Sequence, residues 1–133
     1  MTDEQARELG QRAVKCKCWH WLPGMLSDGF RVDTDPSDGR VRIVNSYYSE
    51  EYESITDEWP DLRDPATLGC MLALVREAWG VPHLFVETDG PIAVWTVRST
   101  LEFNMTGHED DRCLAGWGQT EAEALVAALE AAP

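Results

Sequence analysis

The sequence predicts an α+β fold, a single domain over residues 1–133 in which a mainly antiparallel sheet is packed with about three helices. Three observations lead there. Segments 64–80 and 120–132 carry helix-start and helix-stop residues around runs rich in alanine and leucine. Short alternating segments flank two turn signals, Asp35-Pro36-Ser37-Asp38-Gly39 and Asp89-Gly90. The resulting order of helix, strands, helix, hairpin, strand and helix suits helices laid on an antiparallel sheet. The chain has 133 residues, 44% of them hydrophobic and 26% charged, which is enough for one buried core and too apolar for disorder.

The first helix is expected over 2–14. Thr2 can cap it, Asp3 and Glu4 suit its positive end, and Ala6, Leu9 and Val14 are helically spaced, although Gly10 weakens it. Residues 15–21 read as a strand leading into the Pro23-Gly24 turn. A period of two would then put Lys15, Lys17, Trp19 and Trp21 on one face and Cys16, Cys18 and His20 on the other. Strands over 30–33 and 40–44 would point Phe30, Val32, Val41 and Ile43 inward, leaving Arg31 and Arg42 on one outer face. Residues 46–64 hold Tyr47, Tyr48, Tyr52 and Trp59 among many acids and read as a loop.

Asp64-Pro65 opens the clearest helix, which runs to about Trp79 and is closed by Gly80 and Pro82. Leu68, Met71, Leu72, Val75 and Trp79 form one face, and only Arg76 and Glu77 interrupt the apolar remainder. Such a helix is buried on more than one side, and its second partner could be another subunit. Residues 84–88 and 92–100 form a hairpin around Asp89-Gly90, with Leu101–Met105 extending or following it and a polar loop over His108–Arg112. Leu114–Gly118 is a short last strand. Thr120-Glu121-Ala122-Glu123 is a capping box before a helix ending near Ala132.

The net charge of −13 excludes general binding to duplex nucleic acid, because phosphate neutralisation dominates that affinity. It is compatible with a nucleic-acid mimic, a basic partner or solubility alone. The polar N-terminus shows no secretory h-region and no stretch is apolar enough to span a bilayer, so an intracellular protein without a membrane partner is expected. Its four cysteines are then free thiols.

Against this acidic background, residues 11–31 hold Arg12, Lys15, Lys17 and Arg31 with the single acid Asp28, beside Trp19 and Trp21. Cations next to indoles suit an anionic ligand with a flat ring, the rings stacking a base and the cations meeting phosphate. The same residues also suit tryptophans packed under the first helix with lysines snorkelling past them. Cys16, Cys18 and His20 could supply zinc ligands, completed by Cys113 or His108, but the spacing is not that of a zinc knuckle and buried thiols facing the core explain it more simply. No nucleophile has a visible base and orienting group, no two carboxylates are paired for acid–base work, and no glycine-rich phosphate loop is present. No catalytic residue, cofactor or metal is therefore expected.

Three segments carry a resemblance: Cys18-Trp19-His20-Trp21-Leu22-Pro23-Gly24-Met25, the helix from Asp64 to Gly80, and Thr120 to Leu129. Together they resemble small bacteriophage and prophage proteins with an α/β sandwich, among them the Thoeris anti-defence 1 signal-sponge family. The resemblance implies a phage-encoded protein in the cytoplasm of the infected host that sequesters a cyclic nucleotide immune signal without cleaving it, enclosed in a homo-oligomer. The expected ligand residues come from the charge and ring argument instead: Trp19 and Trp21 for stacking, with Lys17, Arg31, Arg42, Arg76 and Arg98 for phosphate. Arg76 is included because a lone arginine on an apolar helix needs a specific acceptor, either ligand or a carboxylate across an interface. A protein-interaction inhibitor, its acids imitating DNA, is the alternative; an enzyme acting on nucleotides has least support.

Overall fold

Local capping chemistry sets the helix boundaries. In the computed structural model, which describes residues 1–45, 51–53, 58–99 and 114–133, α1 spans Asp3–Val14. The Thr2 hydroxyl accepts from the Gln5 backbone N–H, and the Gln5 side chain accepts from the Thr2 N–H, a reciprocal box. Ala6, Leu9, Gly10 and Ala13 face inward. Gly10 is no weakness here: a Cβ on it would stand 2.7 Å from the Pro60 carbonyl oxygen, so its absence lets α1 lie against that segment.

The expected strand over 15–21 does not form. The chain leaves α1 through tight turns, with backbone bonds from Lys15 to Arg12, from Cys16 to Ala13 and from Trp19 to Cys16. A strand needs a partner edge; these amides instead find carbonyls three residues back, and the two-residue alternation of the side chains has no pleat to act on.

Strands β1 (Leu26–Ser27), β2 (Phe30–Thr34), β3 (Val41–Asn45) and β4 (Glu51–Glu53) form an antiparallel sheet in that order. Val32 opposes Ile43, and both are buried; Asp33 opposes Arg42. Arg31 and Arg42 therefore project from the outer face, as the alternation predicts. β4 corrects the reading of 46–64 as all loop: its backbone pairs Ile43↔Glu53, Val44↔Tyr52 and Asn45↔Glu51. An acidic segment at the end of a sheet is a common way to discourage edge-to-edge association.

Helix α2 spans Pro65–Trp79, with the Asp64 carboxylate capping the Thr67 N–H and Gly80 closing it in the left-handed conformation. β5 (Phe85–Asp89), β6 (Val94–Arg98) and β7 (Leu114–Gly118) make a second antiparallel sheet, so the strands divide into two sheets instead of one. The hairpin turn is longer than Asp89-Gly90, and β6 starts at Val94 instead of Ile92. Helix α3 spans Glu121–Glu130. Thr120 caps it, but Glu123 accepts from Gln119 N–H, one residue before the box position.

α3 is the centre of the packing, touching α1, α2, β6 and β7. Its Ala124, Leu125, Val126, Ala128 and Leu129 join Met25, Val32, Leu62, Met71, Leu74, Val75 and Val97 in one core. Burying one such leucine is worth about 1.5–3 kcal/mol. Gly116 and Gly118 turn toward α3, which leaves Trp117 on the opposite face, 59% exposed. No described helix is long and apolar enough to cross a membrane. Leu101–Met105, His108–Arg112, Cys113, Tyr47 and Tyr48 lie outside the described residues.

Candidate functional site

Three of the four cations of residues 11–31 line one cleft; Arg31, Trp19 and Trp21 are not among its lining residues. Arg12 lies in the last turn of α1, Lys15 is its C-cap, and Lys17 follows in the turn. They border a shallow cleft of about 470 Å³ that is also lined by Cys16, Leu129, Glu130 and Ala132. The C-terminal ends of α1 and α3 thus meet at one place. Cations at helix C-termini satisfy the dipole, and that local demand explains part of this composition.

Magnitudes decide how much charge is left over. Arg12, Lys15 and Lys17 contribute three positive charges, and Glu130 removes one. Two helix ends remove about half a charge each. A net of about +1 remains over a cleft in a chain whose total is −13. Arg12 is held by Glu130 through two N–H groups of its guanidinium, Nε donating to Oε2 at 3.4 Å and Nη2 to Oε1. That hydrogen bond pushes the Arg12 guanidinium further up from its ordinary value. The Cys16 thiol donates to the Arg12 carbonyl at 3.5 Å. Burial first, then the Glu130 and Cys18 charges, push the Cys16 thiol up, which keeps it protonated and a poor nucleophile.

Trp19 and Trp21 do not stand side by side as a platform. Their rings meet edge to face, centroids 5.3 Å apart and planes at 81°, and both pack against the core. The Trp19 Nε1–H is buried with no hydrogen-bond partner among the described residues. The strand's absence is the reason: residues 15–18 turn, and no pleat sets the two indoles side by side. His20 is exposed and pairs with Glu77 at 3.0 Å, while Cys18 sits half-buried with its thiol 3.7 Å from the Leu129 carbonyl. Among the described residues no three of His, Cys, Asp and Glu are grouped to hold a metal.

The four candidate arginines are spread over the molecule, and each has an internal partner. Arg31 reaches the Asp64 carboxylate at 2.7 Å and the Gly24 carbonyl at 2.9 Å. Arg42 meets Asp38 at 2.6 Å and Asp35 at 3.2 Å. Arg98 pairs with Glu87 at 2.9 Å within the second sheet. Arg76 does have a specific acceptor, but it is the Leu84 carbonyl oxygen at 2.8 Å, where the chain enters β5. Of the seven expected ligand residues, the cleft gathers Lys17 and adds Arg12 and Lys15, which the placement of cations beyond a helix C-terminus signals in the sequence.

A second cleft, also about 470 Å³, lies between the start of α1 and residues 59–63. Its charges are mixed: Arg63 bridges Asp61 and Asp3, with Glu4, Arg7 and Asp28 around the rim and Trp59 in the wall. Asp3, Asp35, Asp38, Asp61, Asp64, Glu87 and Glu130 are paired with arginines, and Glu77 meets the His20 ring. Compared with family models, with curated proteins and with solved structures, the chain matches none.

Proposed function

We propose that this chain is a non-catalytic binding protein, phage-encoded and acting in the cytoplasm of an infected bacterium, that sequesters a cyclic nucleotide or cyclic ADP-ribose-type signal unaltered. The observation that carries the reading is the cleft lined by Arg12, Lys15 and Lys17, with Glu130 the one acid among its described lining residues. The resemblance of 18–25, 64–80 and 120–129 to phage proteins supports the biological setting. A phosphate group would meet the three cations, and the ligand's ring would rest against Leu129 and Ala132. Binding and release need no nucleophile or base, and the raised Cys16 thiol suits that. One copy covers the ligand from one side, so the reading includes a homo-oligomer in which a second copy closes the other.

Calorimetry with cyclic dinucleotides, cyclic trinucleotides and cyclic ADP-ribose isomers tests this. At least one compound binds, more weakly as salt rises, and is recovered chemically unchanged after heat release. The Lys15→Glu, Lys17→Glu double variant loses that binding. Silence across the panel, or recovery of a cleaved product, overturns the reading.

A further inference from the structure

We infer that Glu130 is a built-in competitor for the anionic ligand: its carboxylate occupies Arg12 in the free protein and is displaced when a phosphate enters the cleft. The inference rests on the proposed binding reading and names how that same site is regulated.

Glu130 is the last residue of α3, where the helix dipole disfavours a carboxylate. Nothing in α3 itself compensates, since its last turn holds no basic residue. The compensation comes from α1, 118 positions away in sequence, through the two-point contact to Arg12. A carboxylate held by two N–H groups of one guanidinium imitates the geometry in which arginine holds a phosphate. The pair is also open to solvent, with side-chain exposures of 50% for Arg12 and 41% for Glu130. Exposed pairs of this kind hold weakly, so a ligand of higher charge can take the carboxylate's place. Lys15 and Lys17 would hold that ligand beside Arg12, and neither has an ion-pair partner among the described residues. With Glu130 neutral, the local balance rises from about +1 to about +2.

The test uses inorganic pyrophosphate as probe at low salt and follows backbone amide shifts of residues 12–17 and 129–132. It compares the unaltered protein, Glu130→Gln, Arg12→Gln and the double variant, with Glu130→Ala as a second removal of the carboxylate. Glu130→Gln and Glu130→Ala are expected to tighten pyrophosphate binding about fivefold. In the Arg12→Gln background the same change is expected to alter affinity less than about twofold, because there is no guanidinium left to compete for. Binding by the unaltered protein with no tightening in the Glu130 variants overturns the competitor role and leaves the cleft standing. Equal tightening with and without Arg12 also overturns it, since general charge removal would then be the cause. Absence of shifts in every variant overturns the cleft and the competitor role together.

Discussion

Asp64 concentrates three tasks in one carboxylate. It caps α2 by accepting from the Thr67 N–H at 2.9 Å, accepts the Thr67 hydroxyl at 2.8 Å, and holds Arg31 at 2.7 Å. Burial pushes its carboxyl up, but Arg31 and the two Thr67 donors together outweigh burial and leave it below the ordinary aspartate value. Asp64→Ala removes cap and ion pair at once and is expected to cost about 2 kcal/mol, mostly from the cap. Asp64→Asn keeps an acceptor for the Thr67 N–H and should cost less than half of that. Urea unfolding checks both, through a lower midpoint at unchanged slope. The cap was legible in the sequence because Asp-Pro before an apolar run is a local signal. The Arg31 partner was not: the two residues are 33 positions apart, and only the fold brings β2 beside the start of α2. Arg42, Arg76 and Arg98 find their partners nearer in sequence, in the turn before β3, at the entry to β5 and across the β5–β6 hairpin, and there the reading for a ligand overlooked a local acceptor.

At the scale of elements, α3 against β7 is the contact that the core depends on. A Cβ built on Gly116 would stand 2.4 Å from the Ala128 backbone nitrogen and 2.6 Å from the Ala124 carbonyl oxygen. Those are backbone atoms in the middle of a helix, so they cannot step aside as a flexible side chain would. Gly116→Ala is expected to push α3 off the second sheet and cost about 3 kcal/mol, the upper part of the usual range for overpacking. Thermal unfolding measures it; a shift no larger than that of a surface substitution such as Gln119→Ala would show that α3 is not seated as described. Elements with local causes were legible. α1, α2 and α3 are announced by Thr2, Asp64 and Thr120, and β2 and β3 by alternation around a Pro-Ser-Asp-Gly turn. Elements defined by a partner were not. The Lys-Cys-Lys-Cys-Trp-His-Trp run alternates like a strand yet has no edge to join, whereas Glu51–Glu53 looks like loop and pairs with β3. The candidate site suffered most, because sorting its two indoles and two lysines onto one face assumed a pleat.

Over the whole molecule, the charge of −13 and the internal ion pairs respond to solution conditions in opposite directions. Repulsion among many acids acts over distances longer than about 10 Å, the screening length at 0.1 M salt, so added salt removes most of it. The ion pairs are in direct contact and are weakened less, but exposed pairs contribute little to stability. Relief of repulsion is therefore the larger effect, and at pH 7 raising sodium chloride from 20 to 300 mM should raise the melting temperature. Lowering the pH discharges acids and shrinks the repulsion, so the salt effect should fade toward the isoelectric point near 4.4. Below that, a different contribution takes over. The Arg40 and Arg42 hydrogen bonds hold the Asp38 carboxyl down, Arg63 holds Asp61 down, and Asp64 is also lowered. A carboxyl whose folded-state pKa is depressed stabilises fully above its unfolded value, about 3.9, and loses that contribution as pH falls through the lower folded value. Stability should consequently rise modestly from pH 7 to about 5 and drop steeply below about 4. Melting curves across pH 2–8 at two salt concentrations separate the two contributions. A melting temperature that falls with salt at pH 7 would mean that contact pairs, and not the overall acidic charge, govern this chain's electrostatics.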